Sequence, residues 1–232
     1  MTPPLPADLS VEPNTGPGPA LVTFDFDGTL AEQRGGWGLL YRLFGVEEAG
    51  DERTAAFWDG EISYEEWLQG NVADWREHNV RREHVERATD AVKLIDGAHE
   101  LLESLQRSPV PFGVISAGVT DLTRKVEPYD PAFLVSNDVV WEDGVPVDAV
   151  PRVPPDSKGD ILAHLCDVAD IDPEDVVHVG DSHSDVEAFE LVGTAVLFNR
   201  DDRVGEDVTA LADHVVDRRD LTALEPLVVP DE

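Results

Sequence analysis

Phe24-Asp25-Phe26-Asp27-Gly28-Thr29-Leu30 puts two carboxylates, two residues apart, where the short β-prone run Leu21-Val22-Thr23-Phe24 breaks at a glycine. The run reads as a central strand covered on both faces. In an open α/β sheet, ligands bind outside the carboxyl ends of the strands, so a first strand ending in this way marks a reaction centre. Ionised aspartates this close repel one another, and burial sharpens the penalty unless a cation or hydrogen bonds compensate. A divalent metal is the simplest compensation. Taken alone, the pair could equally cap a turn, as Asp-Gly pairs often do. The rest of the chain decides between these readings.

The 232 residues suit one α/β domain with room for a modest insertion, and no internal repeat is visible. With 49 acidic against 17 basic residues the formal charge is −32, which repels nucleic acid and anionic membrane and excludes both as expected partners. So acidic a globular chain, with arginine favoured over lysine, reads as a surface suited to very high salt, where screening weakens self-repulsion. An extreme halophile is the expected source. Cys166 is the only cysteine, so no disulfide forms within the chain; on a probable helix face it reads as a core residue. Residues 1–19 carry six prolines and neither a basic start nor an apolar run, as expected of a flexible leader. No stretch approaches the ~20 apolar residues of a membrane helix. A cytoplasmic protein is expected.

After Leu30 the pattern turns helical. Trp37, Leu40, Tyr41 and Phe44 fall at i, i+3, i+4 and i+7, and Gly45 supplies a stop. Ser63 and Glu66 form a capping-box pattern ahead of Trp67, Leu68 and Trp75. These tryptophans, at helical spacing in a small module, read as its core rather than as a substrate platform. The expected division is therefore a flexible leader over 1–19, an α/β core over 20–35 and 94–232, and a helical insertion over 36–93.

Beyond Asp96 the α/β rhythm resumes. A helix over Ala98 to Arg107 precedes the buried run Phe112-Gly113-Val114-Ile115, which ends at Ser116-Ala117-Gly118. A helix through Asp121, Leu122 and Val126 should stop at Pro128. Two strands between Phe133 and Val150 meet at Asp143-Gly144, a hairpin signal. Ser157 is placed to cap the helix that starts with Lys158. Val176-Val177-His178-Val179 then runs into Gly180-Asp181-Ser182-His183-Ser184-Asp185, followed by a helix, a strand over 194–198 and a short helix opened by Asp220.

Asp25 with Asp27, Ser116, Lys158, and Asp181 with Asp185 thus follow strands or open helices. Right-handed crossovers between parallel strands bring such positions to one edge of the sheet. The set is a phosphate-and-metal inventory. Ser116, with the backbone N–H groups of Ala117 and Gly118, can cradle phosphate oxygens, and Lys158 adds a positive charge. Asp25, Asp181 and Asp185 are hard oxygen ligands of the kind Mg²⁺ takes. Singly each has an ordinary explanation, a turn serine, a solvated lysine, a helix-capping acid; His183 reads as a solvated loop residue. With only three lysines in the chain, Lys158 stands out.

Asp25-Phe26-Asp27-Gly28-Thr29, Ile115-Ser116, Lys158, and Gly180-Asp181-Ser182 with Asp185, in that order, resemble the four-motif signature of the haloacid dehalogenase-like (HAD) superfamily. The insertion after the first motif is similar to the helical cap of its phosphoserine-phosphatase-like branch. The resemblance implies a Rossmann-like parallel sheet under a mobile helical lid and Mg²⁺-dependent hydrolysis of a small phosphorylated metabolite through an aspartyl-phosphate. Asp25 would be the nucleophile and Asp27 the acid–base. Ser116, Ala117 and Lys158 would hold the phosphoryl group, and Asp25, the Asp27 carbonyl and Asp181 the metal, with Asp185 ordering its surroundings. Phosphoserine-specific members usually carry a glutamate nine residues after the nucleophile. Here that position is Arg34, which would repel an ammonium and suit an anionic group, with Glu32 nearby as a substitute. The competing readings are a dehalogenase, which needs neither Asp27 nor a metal cluster, a phosphotransferase, and a non-catalytic module that senses a phosphorylated ligand.

Overall fold

A computed structural model describes residues 9–199 and 204–230. Its centre is a seven-stranded sheet of order β4-β3-β2-β1-β5-β6-β7, with β1 Leu21–Phe24, β2 Phe112–Val119, β3 Phe133–Glu142, β4 Val145–Val150, β5 Val176–Gly180, β6 Thr194–Phe198 and β7 His214–Val216. All pairings are parallel except β3 with β4. β1 lies in the middle, and its four residues are all fully buried, as the unbroken apolar run predicts. The β3–β4 hairpin turns at Asp143 and Gly144, both at positive φ, as a two-residue hairpin loop requires.

The segment between β1 and the resumed α/β pattern forms four helices: α1 Gly36–Phe44, α2 Glu47–Trp58, α3 Tyr64–Glu77 and α4 Arg82–Ala91. Gly45 ends α1 in the left-handed conformation. The Ser63–Glu66 capping box forms in both directions at the start of α3: the Ser63 hydroxyl accepts the Glu66 N–H, and the Glu66 carboxylate accepts the Ser63 N–H at 2.8 Å. The four helices are clasped to the sheet edge. Tyr64 Oη donates to the Val153 carbonyl at 3.0 Å and Gln69 Nε2 to the Ala149 carbonyl at 3.1 Å, beside the β3–β4 hairpin.

Helix α5 (Ala98–Arg107) covers one face of the sheet, and α6 (Thr120–Thr123) follows β2. Pro128 does not stop the next turn; it lies inside a 3₁₀ segment, Arg124–Tyr129, which ends at Asp130 in the left-handed region. On the other face, α7 (Lys158–Ala169) packs Ile161, Leu162, Leu165 and Cys166 into a second core with Leu21 and Ile115. Cys166 is buried there, and burial pushes its thiol up to about 11, so it is a core residue. Ser157 precedes α7 without capping it, because its hydroxyl donates back to the Pro154 carbonyl at 2.8 Å. The short helix α8 (Val186–Leu191) follows β5.

The first eight residues of the expected leader lie outside the described residues. Residues 9–19 depart from a free leader: Val11 is buried against the second core, and Asn14 donates from its backbone to Ala20 and from its side chain to Pro17 and Pro19. Leu9 packs against the same core, so two apolar residues dock the segment. Among the described residues, no helix is long and apolar enough to cross a membrane.

Candidate active site

Because β1, β2 and β5 are parallel neighbours, the loops at their carboxyl ends meet. Asp25, Asp27, Arg34, Ser116, Ala117 and Asp181 line one cavity of about 420 Å³. Lys158 and Asp185 sit behind them, fully buried. Gly28 makes the approach of the first and last motifs possible. At φ 87° it occupies the left-handed region, and a Cβ there would fall 2.1 Å from Asp181 Oδ2.

The buried ion set is ordered around Lys158. Its ammonium donates to Asp185 Oδ1 at 2.7 Å and reaches Asp25 Oδ1 at 3.0 Å. Burial pulls the ammonium's pKa down, but Asp185 and Asp25 outweigh it and hold Lys158 above its ordinary value. Asp185 is likewise kept well below the usual carboxylate range: burial opposes its charge, and Lys158 with His178 overcomes that opposition. His178 Nε2 lies 3.1 Å from Asp185 Oδ1, and its Nδ1 is 2.8 Å from Thr23 Oγ1. Burial lowers the pKa of His178 and favours the neutral ring. A neutral ring bonded in this way carries its proton on Nε2, donating to Asp185 and accepting from Thr23.

Asp185 Oδ2 accepts the backbone N–H groups of Asp181 and Ser182, each at 3.2 Å. Both oxygens of Asp185 are therefore engaged. Asp185, expected among the metal residues, also anchors Lys158 and the Asp181 loop.

Asp25 and Asp181 have the opposite character. Burial first, then the neighbouring carboxylates, push Asp25 up to about 7 despite Lys158. Burial, Asp25 and Asp185 push Asp181 up to about 8 despite Arg34. Carboxylate oxygens of Asp25, Asp181 and Asp185 all lie within 4.8 Å of one another. Buried, crowded and under-neutralised carboxylates at such spacing are what a hard divalent cation would relieve, and the all-oxygen donor set fits Mg²⁺.

Asp27 lines the same cavity and is held by a different set of partners. Its Oδ2 accepts the Gly36 backbone N–H at 2.6 Å, at the first residue of α1, and its Oδ1 accepts Gln33 Nε2 at 3.0 Å. Burial raises its pKa against these two hydrogen bonds. Its carboxylate is thus tied to the joint between the sheet and the helical segment.

On β2, Ser116 is buried and its Oγ accepts the Gly118 N–H at 3.1 Å. That N–H, expected to be open to a phosphate, is instead used to orient the serine. Arg34 contacts Asp181 Oδ2 at 3.4 Å through Nη1, and Nη2 donates to the Asn199 carbonyl. It therefore faces the acidic cluster as well as the cavity. His183 lines the same cavity; its mostly exposed ring lies 3.4 Å from Asp207 Oδ2, in keeping with a solvated loop residue.

Gln33, Gly36, Trp37, His178 and Asn199 are parts of the site that the sequence did not reveal. Only His178, a polar residue in an otherwise apolar strand, carried a local signal. The others act through backbone groups or through contacts made by distant segments.

A sheet-edge cluster of two motif aspartates, a buried lysine and a loop serine defines an acid-rich α/β hydrolase site. The family model for haloacid dehalogenase-like hydrolases matches residues 19–193, and the chain belongs to that family. It is 33% identical to a phosphoserine phosphatase of Halobacterium salinarum over 214 residues, 86% of this chain and 93% of that protein. With a phosphoserine phosphatase of Methanocaldococcus jannaschii the identity is 27% over 204 residues, 87% of this chain and 93% of the other. The structure of a substrate-bound phosphoserine phosphatase superposes with a TM-score of 0.72 at 25% identity, covering 92% of this chain and 99% of that one. The chain is an enzyme of the hydrolase class, and its relatives are phosphatases.

Proposed function

We propose that this enzyme hydrolyses a small-molecule phosphate monoester with Mg²⁺ through an aspartyl-phosphate on Asp25. The observation that carries the reading is the meeting of Asp25, Asp27, Ser116 and Asp181 in one cavity, with Lys158 fixed behind it. Asp25, Asp181 and the Asp27 carbonyl would hold the metal, whose charge offsets repulsion between an attacking carboxylate and an anionic phosphate.

Asp25 attacks phosphorus and the ester P–O bond breaks, with Asp27 giving its proton to the leaving oxygen. Asp27 then takes a proton from water as that water attacks phosphorus, which releases phosphate and restores Asp25. The raised pKa of Asp27 suits a group that begins protonated and ends as a base. Ser116 and Lys158 steady the transferring oxygens, where position and charge supply most of the catalysis. Asp185 keeps Lys158 charged and in place.

We assign residues 36–93 as the cap over the carboxyl edge, on the strength of its contacts with the 149–153 segment and of the Gly36–Asp27 bond at its entry. Arg34 is our candidate specificity residue, since it lines the cavity where an ammonium-binding glutamate would be expected. The charge of −32 supports a surface adapted to a high-salt cytoplasm, so Tm should climb with KCl concentration.

The test is phosphate release from a panel of monoesters, including phosphoserine, phosphoglycolate and sugar phosphates, in molar KCl with and without Mg²⁺. Release that needs the metal and disappears in Asp25→Asn is the expected outcome. Release unaffected by either change would refute the mechanism.

A further inference from the structure

A second, larger cavity of about 680 Å³ opens from the first and shares Arg34, Gly35, Trp37, Ala117 and Ser182–Ser184 with it. Its remaining wall comes mainly from α1, α2 and α3 and is aromatic: Tyr41, Phe57, Trp58, Tyr64 and Trp67, together with Trp37. Five of these rings, all but Tyr41, form a continuous series. Trp58 packs on Phe57 at 5.0 Å between centroids, Phe57 on Tyr64 at 5.6 Å, Tyr64 stacks on Trp67 at 5.4 Å and 14°, and Trp67 meets Trp37 at 5.0 Å. The series ends at the phosphate loop, where Trp37 Nε1 donates to the Ala117 carbonyl at 3.1 Å. At its other end Trp58 is 64% exposed.

The tryptophans of α1, α2 and α3 thus differ in their surroundings. Trp75 is fully buried and serves as core, whereas Trp58 does not, and Trp37 and Trp67 are shared between core and cavity wall. An exposed tryptophan continuing a ring series into a cavity that ends at a phosphate site is a ligand-binding feature, because a core alone has no need of it.

We propose that the leaving group of the natural substrate is an uncharged alcohol bearing a ring or similarly bulky apolar body, held along this aromatic wall while its phosphate sits at Asp25. The proposal deepens the phosphomonoesterase reading and rests on it. A three-carbon amino acid would leave most of this space to water. Its ammonium would meet Arg34, and its carboxylate would face Asp51 and Asp156, which also line the chamber. The same two carboxylates disfavour a second anion on the substrate.

The experiment compares ethyl, benzyl and 2-naphthylmethyl phosphate with phosphoserine and phosphocholine, in Mg²⁺ and molar KCl. The ethyl, benzyl and naphthylmethyl esters all release a primary alcohol of similar acidity, with the proton supplied by Asp27, so KM differences among these three report the chamber rather than leaving-group chemistry. KM should fall at least about tenfold from ethyl to naphthylmethyl phosphate as ring area is covered. Trp58→Ala should raise KM for the naphthylmethyl ester several-fold more than for the ethyl ester. KM that is flat or rises with ring size, equal effects of Trp58→Ala on both esters, or tightest binding of phosphoserine or phosphocholine would overturn the proposal. If no ester is hydrolysed, the phosphatase reading fails on its own. The chamber is then judged by tryptophan quenching in Asp25→Asn: tighter binding of naphthylmethyl than of ethyl phosphate supports it, and equal or absent binding overturns it.

Discussion

Two cavities share a wall at the carboxyl edge of the sheet, and they are built differently. In the smaller one, charged groups lie on the rims of β1, β2 and β5 and are held by short polar contacts, Lys158 between Asp25 and Asp185, Asp27 between Gly36 and Gln33. In the larger one the wall is made mainly of aromatic rings on three helices. Directional ionic contacts fix where a phosphoryl group can react, whereas an apolar wall selects by shape and area and tolerates change. On the proposed reading, chemistry and selectivity are carried by separate parts of the chain.

The largest effect that would test this separation is at the nucleophile. Asp25→Asn should lower kcat by about 10,000-fold or more for every ester, large or small, as measured by steady-state phosphate release. A loss confined to one ester class would mean that the two cavities are not independent.

Next is Lys158→Met, which leaves Asp185 and Asp25 buried without their cation. Breaking such a pair costs about 3–5 kcal/mol. Urea titration should show that loss together with a fall in kcat. A variant as stable as the parent would show that the ionic cluster contributes nothing to the fold.

Metal and pH test the smaller cavity. Asp25 and Asp181, held near 7 and 8 without metal, must lose protons to bind Mg²⁺, so affinity should rise from pH 6 to 8 and level off above, with protons released on binding. For stability the sign is opposite. A carboxyl raised above its unfolded value contributes fully below about pH 4, and that contribution is lost as pH climbs through 7 and 8. Tm of the chelator-treated enzyme should fall over that range, and Mg²⁺ should reverse the fall. Tm independent of pH in the absence of metal would show that these carboxyls are not strained.

The smallest effect belongs to the helical side. Ser63→Ala removes the cap of α3, and a lost cap of this type costs about 1 kcal/mol. Because α3 carries Tyr64 and Trp67, KM for ring-bearing esters should rise slightly while kcat for ethyl phosphate stays within twofold.

Much of this site was legible beforehand because its groups follow strands. Asp25, Asp27, Ser116, Lys158 and Asp181 each sit where an apolar run ends or a helix starts, and parallel topology brings such positions together. The anchoring contacts of Asp185 and of the Gly118 N–H were not legible. Whether a carboxylate ligates or anchors depends on which donors surround it, and those of Asp185 come from α7 and β5. Trp37, Trp67 and Trp75 do lie in the core, but the second place of Trp37 and Trp67 on a cavity wall was not legible: helical spacing shows that residues share a face, not whether that face also meets a cavity.

By itself the sequence determined a parallel sheet with β1 buried at its centre, a helical insertion after it, and an acidic phosphate-handling edge. These follow from local signals, an unbroken apolar run, a capping box, an aspartate pair ahead of a glycine, whose physical meaning does not depend on distant contacts. Only the tertiary structure decided that Asp27 is bonded to the start of α1, that Asp185 pairs with Lys158, and that six aromatic rings line a chamber beside the cavity of Asp25 and Asp181. Each of those depends on segments far apart in the chain meeting with a particular orientation, which burial and hydrogen-bond partners set only once the elements have packed.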